Sequence, residues 1–269
     1  MLVAVDTGGT KTLVATYTRN GRITAEVKFP TPRDPGDYME LLCTTITGMT
    51  DGKDIDAIAV AVPGQTKKGV ALVCVNLGWH DVPITAPLKK LFKCPVYLEN
   101  DANLAGLAEA RALPKKYDNV LYVTISTGIG MGLIIDHTIH PALSITEPGH
   151  MVLEYDGKLR KWEDFASGRA IRATYDSYAR DIKDRHVWNQ IADKISRGFL
   201  VLVPAVKPDV IIIGGSIGTY FDKYEKQVQH ILTRRLSPEF IPVDLRQAVH
   251  PEQAVIYGCY YFALAQLDR

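Results

Sequence analysis

Cysteine is scarce: four residues in 269, Cys43, Cys74, Cys94 and Cys259, stand far apart with no C-x-x-C pair. That scarcity excludes a disulfide framework and a cysteine zinc ribbon, and it fits a reducing compartment. Net charge is also missing, since 31 Lys and Arg oppose 30 Asp and Glu. No field exists to hold nucleic acid or an anionic membrane surface, so neither is an expected partner. Nowhere does an uncharged apolar run reach the ~18 residues of a membrane span. Met1 leads straight into the strand-like Leu2-Val3-Ala4-Val5 without a basic region and apolar core, so the expected location is the cytoplasm. Long linkers and low-complexity tracts are absent too.

What is present is a chain that is 46% hydrophobic, long enough for one large or two small domains on a prior of roughly 150 residues each. Residues 1–30 alternate apolar runs with glycine turns at Gly8-Gly9 and Asn20-Gly21, which predicts a three-stranded antiparallel meander. A helix over 35–49, a strand over 55–62 closing at Pro63-Gly64, a helix near 85–92, a strand over 96–98 and an alanine-rich helix over 101–111 follow. The pattern then restarts, with strands 120–125 and 132–135 flanking the glycine turn Gly128-Ile-Gly130-Met-Gly132. Beyond it come a polar stretch (136–166), helices near 168–184 and 187–206, an apolar strand 210–213, a helix after Gly218 and a last helix over 254–267. This predicts a duplicated α/β architecture with domains 1–112 plus 254–269 and 113–253, and a site in the cleft between the halves.

Three glycine elements carry the chemistry. Asp6-Thr7-Gly8-Gly9-Thr10-Lys11-Thr12 lies between two strands, where paired glycines let backbone amides converge on an anion. An ordinary hairpin turn explains the same residues, and neither a Walker loop nor a Rossmann fingerprint fits. Ser126-Thr127-Gly128 occupies the equivalent place in the second half, and Gly214-Gly215-Ser216 follows the apolar strand and opens a helix suited to close approach of a nucleotide. Glu99-Asn100-Asp101-Ala102-Asn103 follows a strand and begins a helix, so its Asn and Asp read equally as N-caps or as a site at the strand's carboxyl end. His137 and His140 lie close together on a turn, where solvent exposure accounts for them without a metal.

The ordered set DTGGTKT (6–12), AVPG (61–64), NLGW (76–79), ENDAN (99–103), STGIGMG (126–132), EPGHM (147–151), EDFASGRA (163–170) and IIIGGSIG (211–218) resembles the ROK family of sugar kinases and sugar-responsive repressors over the whole chain. The resemblance implies duplicated ribonuclease H-like domains of the actin-like ATPase kind, closing on ATP and magnesium, and a homodimer. It implies Asp101 as the base on the phosphorylated hydroxyl, with Gly64, Asn76, Asn100, Glu147, His150 and Glu163 around the sugar. It further implies Asp6 beside magnesium through water, Gly8, Gly9, Thr10, Lys11, Thr127 and Gly128 at the phosphates, and Gly214, Gly215 and Ser216 at the adenosine. Residue chemistry agrees: phosphoryl transfer needs positioned charge and a base, and sugars need paired donors and acceptors.

Two departures stand out. Many members of the family carry a cysteine cluster between G-H and A-S-G that binds zinc with the histidine, but residues 151–162 hold no cysteine, so no zinc site is expected. Thr146 replaces the family's glycine before the Glu, and Pro148 stands between Glu147 and Gly149. The activity implied is ATP-dependent phosphorylation of a hexose, foremost glucose to glucose 6-phosphate. The rivals are a kinase for an N-acetylhexosamine or fructose, a nucleotide-hydrolysing scaffold of the same fold, and a sugar sensor or repressor without turnover, the last lacking a visible DNA-binding module.

Overall fold

The computed structural model describes residues 1–241, 243–250 and 253–268; residue 269, the last of the expected first domain, lies outside them. In chain order the elements are β1 (Leu2–Thr7), β2 (Lys11–Tyr17), β3 (Ile23–Pro30), α1 (Pro35–Thr50), β4 (Ala57–Val62), β5 (Gln65–Lys67), β6 (Val70–Cys74), β7 (Trp79–Pro83), α2 (Thr85–Phe92), β8 (Val96–Asn100) and α3 (Asp101–Ala112). There follow β9 (Asn119–Ile125), β10 (Ile129–Ile135), β11 (Thr138–Ile139), β12 (Val152–Tyr155), β13 (Lys158–Lys161), α4 (Glu163–Ala166), α5 (Gly168–Tyr175) and α6 (Arg185–Val206). The chain ends with β14 (Val210–Gly214), α7 (Gly215–Gly218), α8 (Phe221–Arg235), β15 (Asp244–Gln247) and α9 (Ala254–Leu267). It divides into two compact units, Met1–Ala108 with Glu252–Arg269, and Glu109–Pro251.

The first unit is built on a sheet of order β3-β2-β1-β4-β8. β1, β2 and β3 form the antiparallel meander, and β1, β4 and β8 run parallel with Asp6 beside Ala61 and Val62 beside Asn100. That register brings the carboxyl ends of three parallel strands to one edge, where α/β sheets hold their ligands. Helix α1 starts because Asp34 accepts hydrogen bonds from the Gly36 and Asp37 amides and Pro35 pre-sets the first turn. It buries Tyr38, Leu42 and Ile46 at helical spacing. Helix α9 returns to pack on β1 and β4, its Tyr260 ring stacking on buried Tyr17 at 4.9 Å.

The second unit repeats the plan with order β11-β10-β9-β14-β15. β10 is antiparallel to β9, while β14 and β15 are parallel to it in turn. α6 and α8 pack together and bury Trp188, Ile195, Phe199, Tyr224 and Val228 in its core. No helix among the described residues is long and apolar enough to cross a membrane.

Several elements differ from the sequence expectations. The glycine run 128–132 is not all turn: the turn is residues 126–128, and Ile129 to Gly132 already pair with β9. The helix expected over 168–184 stops at Tyr175, because Asp176 adopts a left-handed conformation (φ 48°) and a 3-10 turn follows. Residues 65–83 form the sheet β5-β6-β7, and the polar stretch contains the hairpin β12-β13. That hairpin turns through Asp156 and Gly157, both at positive φ, as a two-residue hairpin loop requires. His137 and His140 are half-buried rather than exposed.

Candidate active site

In the first unit the β1–β2 loop is held by hydroxyls. The Gly8 amide donates to the Lys11 carbonyl at 3.0 Å, and Thr31 Oγ1 donates to the Gly8 carbonyl at 2.8 Å. Thr12 and Thr31 share a hydrogen bond of 2.9 Å, and buried Thr7 bonds the Tyr38 hydroxyl at 2.6 Å. Tyr38 packs on Trp79, whose indole donates to the Arg33 carbonyl, and the Arg33 guanidinium bonds the Asn76 carbonyl. Asn76 lies against Gly9, where an added Cβ would touch its side chain at 3.4 Å. Gly8, Gly9 and Asn76 therefore sit in one supported cluster, with Thr10 exposed on the loop and Lys11 exposed at the start of β2.

Asp6 is the next-to-last residue of β1, before the fully buried Thr7, and burial pushes its carboxyl up to about 6, partly offset by Lys28. Its partners in the sheet are Leu13 and Ala61, and at the same end of the sheet Gly64 follows β4 and Asn100 ends β8. Gly64 sits at φ 115° with the Val73 carbonyl 2.1 Å from where a Cβ would stand, so only glycine fits. Asn100 donates from Nδ2 to the Gly64 carbonyl at 3.0 Å, while its Oδ1 accepts from the Ala102 and Asn103 amides. It thus serves as the N-cap of α3, and one amide hydrogen of its two is used by Gly64. Asp101 occupies the first helical position and accepts from the Ala102 amide at 2.8 Å. Behind them Glu99 accepts from the Asn100 amide and from Asn103 Nδ2 through one oxygen, and burial raises its carboxyl above the ordinary value.

In the second unit, Glu163 is the meeting point. Its Oε2 accepts from the Ile129 amide at 3.4 Å and lies 2.8 Å from where a Cβ on Gly128 would stand, while His150 Nε2 lies 3.5 Å from Oε1. Gly149 is equally tight, a Cβ there meeting the Ile129 carbonyl at 2.5 Å. Glu147 closes the 3-10 turn Pro148–His150 by accepting the His150 amide. Its carboxyl is raised by burial, against the pull of His150 and with the push of Glu163. The structure therefore joins Glu147, His150 and Glu163 to the Ser126–Gly128 turn. A second contact ties that turn to α5, the Gly168 amide donating to the Ser126 carbonyl at 2.7 Å. Gly215 crosses Thr124 and Ile125 so closely that a Cβ would lie 2.6 Å from the Ile125 carbonyl, and Ser216 faces Gly168. Gly214, Gly215 and Ser216 thus border the same turn.

The hairpin β12-β13 packs on α4, the short helix that begins at Glu163. Tyr155 stacks flat on Phe165 of α4 at 4.6 Å, with the Lys194 ammonium 5.0 Å and the Arg160 guanidinium 5.5 Å from the Tyr155 ring centre. Trp162, buried completely, donates its indole N–H to the Lys194 carbonyl. Among the described residues no three His, Cys, Asp or Glu side chains gather as a metal cluster. Magnesium asks for less, one or two carboxylate oxygens with the rest from water and phosphate, and the Asp6 carboxyl at a strand end fits that demand.

Sequence reasoning missed Glu99, Tyr38, Thr31, Arg33 and Trp79 as supporting residues. Glu99 stands inside the ENDAN motif and was legible there; Tyr38, 31 residues from Thr7, left no local signal.

Comparison with known proteins bears on the whole chain. An N-acetylmannosamine kinase of Yersinia pestis (strain Pestoides F) is 28% identical over 291 residues, covering 98% of this chain and 99% of that kinase. The ROK hexokinase from Thermus thermophilus superimposes with a TM-score of 0.80 at 27% identity, covering 99% of each chain. The inorganic polyphosphate/ATP-glucomannokinase from Arthrobacter sp. strain KM gives 0.72 at 26% identity over 98% of each chain. With the ROK family profile matching residues 2–266, this chain belongs to the ROK family.

Proposed function

We propose that this protein is a sugar kinase that transfers the terminal phosphoryl group of ATP to a hexose, with Asp101 as the general base. The observation that carries the reading is the common edge of the parallel strands β1, β4 and β8, where Asp6 is the next-to-last residue of β1, Gly64 lies just beyond β4, Asn100 ends β8 and Asp101 directly follows it. Asp101 takes the proton of the attacking hydroxyl as its oxygen bonds to phosphorus and ADP departs. The spare Asn100 amide hydrogen and the acceptors of Glu147 and Glu163, with His150, orient the sugar hydroxyls. Asp6 would hold magnesium through water, and the metal when bound supplies charge neutralisation at the phosphates. The glycine turns at 8–10 and 126–128 supply backbone amides to the phosphates, and 214–216 borders the adenosine. Four free cysteines and the missing net charge favour a reducing cytoplasm as the place of action.

Glucose at its 6-hydroxyl is the first substrate proposed; an N-acetylhexosamine is the second, favoured by the N-acetylmannosamine kinase relative. Coupled ADP release over glucose, mannose, fructose, allose, N-acetylglucosamine and N-acetylmannosamine, with product position read by NMR, tests both. A 6-phosphate product from glucose supports the first reading, and phosphorylation of N-acetylmannosamine alone transfers the proposal to the second. A panel with no phosphorylated product overturns the hexose kinase.

A further inference from the structure

The boundary between the two units falls inside a helix. α3 runs from Asp101 to Ala112, and the division lies between Ala108 and Glu109. The helix is therefore a stiff rod about 18 Å long, with the candidate base on its first turn and Glu109 two turns further on. Glu109 is a carboxylate with 1% of its side chain exposed. A buried carboxylate persists only where hydrogen bonds replace its hydration, and here both oxygens are used. Oε2 accepts the Val249 amide and Oε1 the His250 amide, each at 2.7 Å, across 140 and 141 residues of sequence. The His250 ring nitrogen Nδ1 stands 3.4 Å from Oε1. Bonds this short to a charged acceptor are the strong class. Val249 and His250 immediately precede the place where the chain returns to the first unit. One carboxylate thus fastens the outgoing passage of the chain to the returning one.

We propose that Glu109 is a positioning residue for phosphoryl transfer: it pins the far end of α3 to the 249–250 backbone and so fixes the helix that presents Asp101. No sugar or nucleotide contact is required of it. The inference rests on the reading of Asp101 as the base. Glutamine at 109 keeps the size but replaces one acceptor oxygen with an NH₂ that opposes an amide N–H, so the pair of bonds cannot be kept. Aspartate keeps the charge and is one methylene too short to span both amides.

The test uses the full chain and two readouts, amide hydrogen exchange at Val249 and His250 by NMR and steady-state kinetics with MgATP and the accepted sugar. In Glu109→Gln both amides should exchange at least about tenfold faster, and kcat should fall on the order of tenfold with both KM values within about threefold, because alignment rather than binding is lost. Glu109→Asp should lie between. Unchanged exchange overturns the clamp. Faster exchange with kcat unchanged overturns the positioning role and leaves the kinase reading intact, whereas no sugar-dependent turnover in the wild type overturns both. If neither variant folds, the wild type decides: a shared clamp gives the two amides equal protection factors within about threefold, and widely unequal factors contradict it.

Discussion

The two glycine turns sit at register-equivalent places in sheets of the same strand order, yet they are built from different chemistry. In the first, Thr7 closes the β1–β2 pair and the residue before it is Asp6; in the second, Ile125 closes the β9–β10 pair and the residue before it is Thr124. A small residue stands beside each in the parallel neighbour, Ala61 in one sheet and Gly214 in the other. The first turn is braced by neutral hydroxyls, Thr31 and Tyr38. The second is braced by a carboxylate, Glu163, whose Oε2 accepts the Ile129 amide. The duplicated plan places a glycine turn at the same point of each sheet, and under the proposed function the side chains at the strand ends divide the work: Asp6 toward the metal in one unit, and a turn tied to Glu163 toward the phosphates in the other.

The strongest way to break this comparison is to remove Asp101, the proposed base, which only the first unit carries. Asp101→Asn should lower kcat by roughly 10² to 10⁴ fold and leave sugar affinity within about tenfold, since the amide still meets the hydroxyl but cannot take its proton. If Asp101 merely began the helix, asparagine would serve as well and turnover would hardly move. Steady-state kinetics beside a sugar-binding titration separates these results.

Asp6→Asn comes next, with kcat expected to fall about a hundredfold and the magnesium needed for half-maximal rate to rise at least tenfold. Because burial holds the Asp6 carboxyl near 6, wild-type activity should decline as pH drops through that value, more steeply at low magnesium, and the variant should lose this limb. Stability changes in the opposite sense. A carboxyl raised in the folded state favours folding below its unfolded value near 3.8 and loses that contribution as pH rises through about 6. Urea unfolding in chelator should show the metal-free protein weakening across pH 4 to 7, with Asp6→Asn flatter.

A pair of glycine substitutions sharpens the contrast between turns. An alanine at Gly128 meets Glu163 Oε2, the movable end of a side chain, at 2.8 Å, whereas one at Gly8 meets the Lys11 carbonyl, fixed backbone, at 2.9 Å. Gly128→Ala should therefore displace the Glu163 carboxylate, raising sugar KM about tenfold with thermal stability near wild type. Gly8→Ala should instead cost ~1–3 kcal/mol of stability, the overpacking range, read by urea unfolding. Smallest is Tyr38→Phe, which leaves the buried Thr7 hydroxyl without its 2.6 Å partner and should cost ~1–2 kcal/mol with sugar KM unmoved.

Much of this was legible in the sequence because its signals are local. Apolar runs alternating with glycine turns over Leu2–Tyr17 announced the meander, and Pro35 with Asp37 announced α1. The missed elements carry signals that cancel. In β12-β13, Arg160 and Lys158 make the hairpin look like a polar loop, but Arg160 and Lys194 lie over the Tyr155 ring and turn charge into packing. In β5-β6, Lys67, Lys68 and Gly69 interrupt a short strand pair whose turn sits at positive φ. Residues 126–132 read as one glycine loop because glycine marks turns, yet Gly130 and Gly132 are strand residues. The supports of the site were illegible for another reason: Thr7 to Tyr38 and Glu109 to Val249 join residues 31 and 140 apart, a distance no periodicity spans.

The most direct test of the account is the rate of ADP release by the wild-type protein at saturating MgATP, with the accepted sugar and without it. A sugar kinase with a working base should release ADP at least about a hundredfold faster with the sugar than with water as acceptor. Equal rates in the two arms, with the sugar shown by titration to be bound, would contradict it and leave a sugar-binding protein in place of an enzyme.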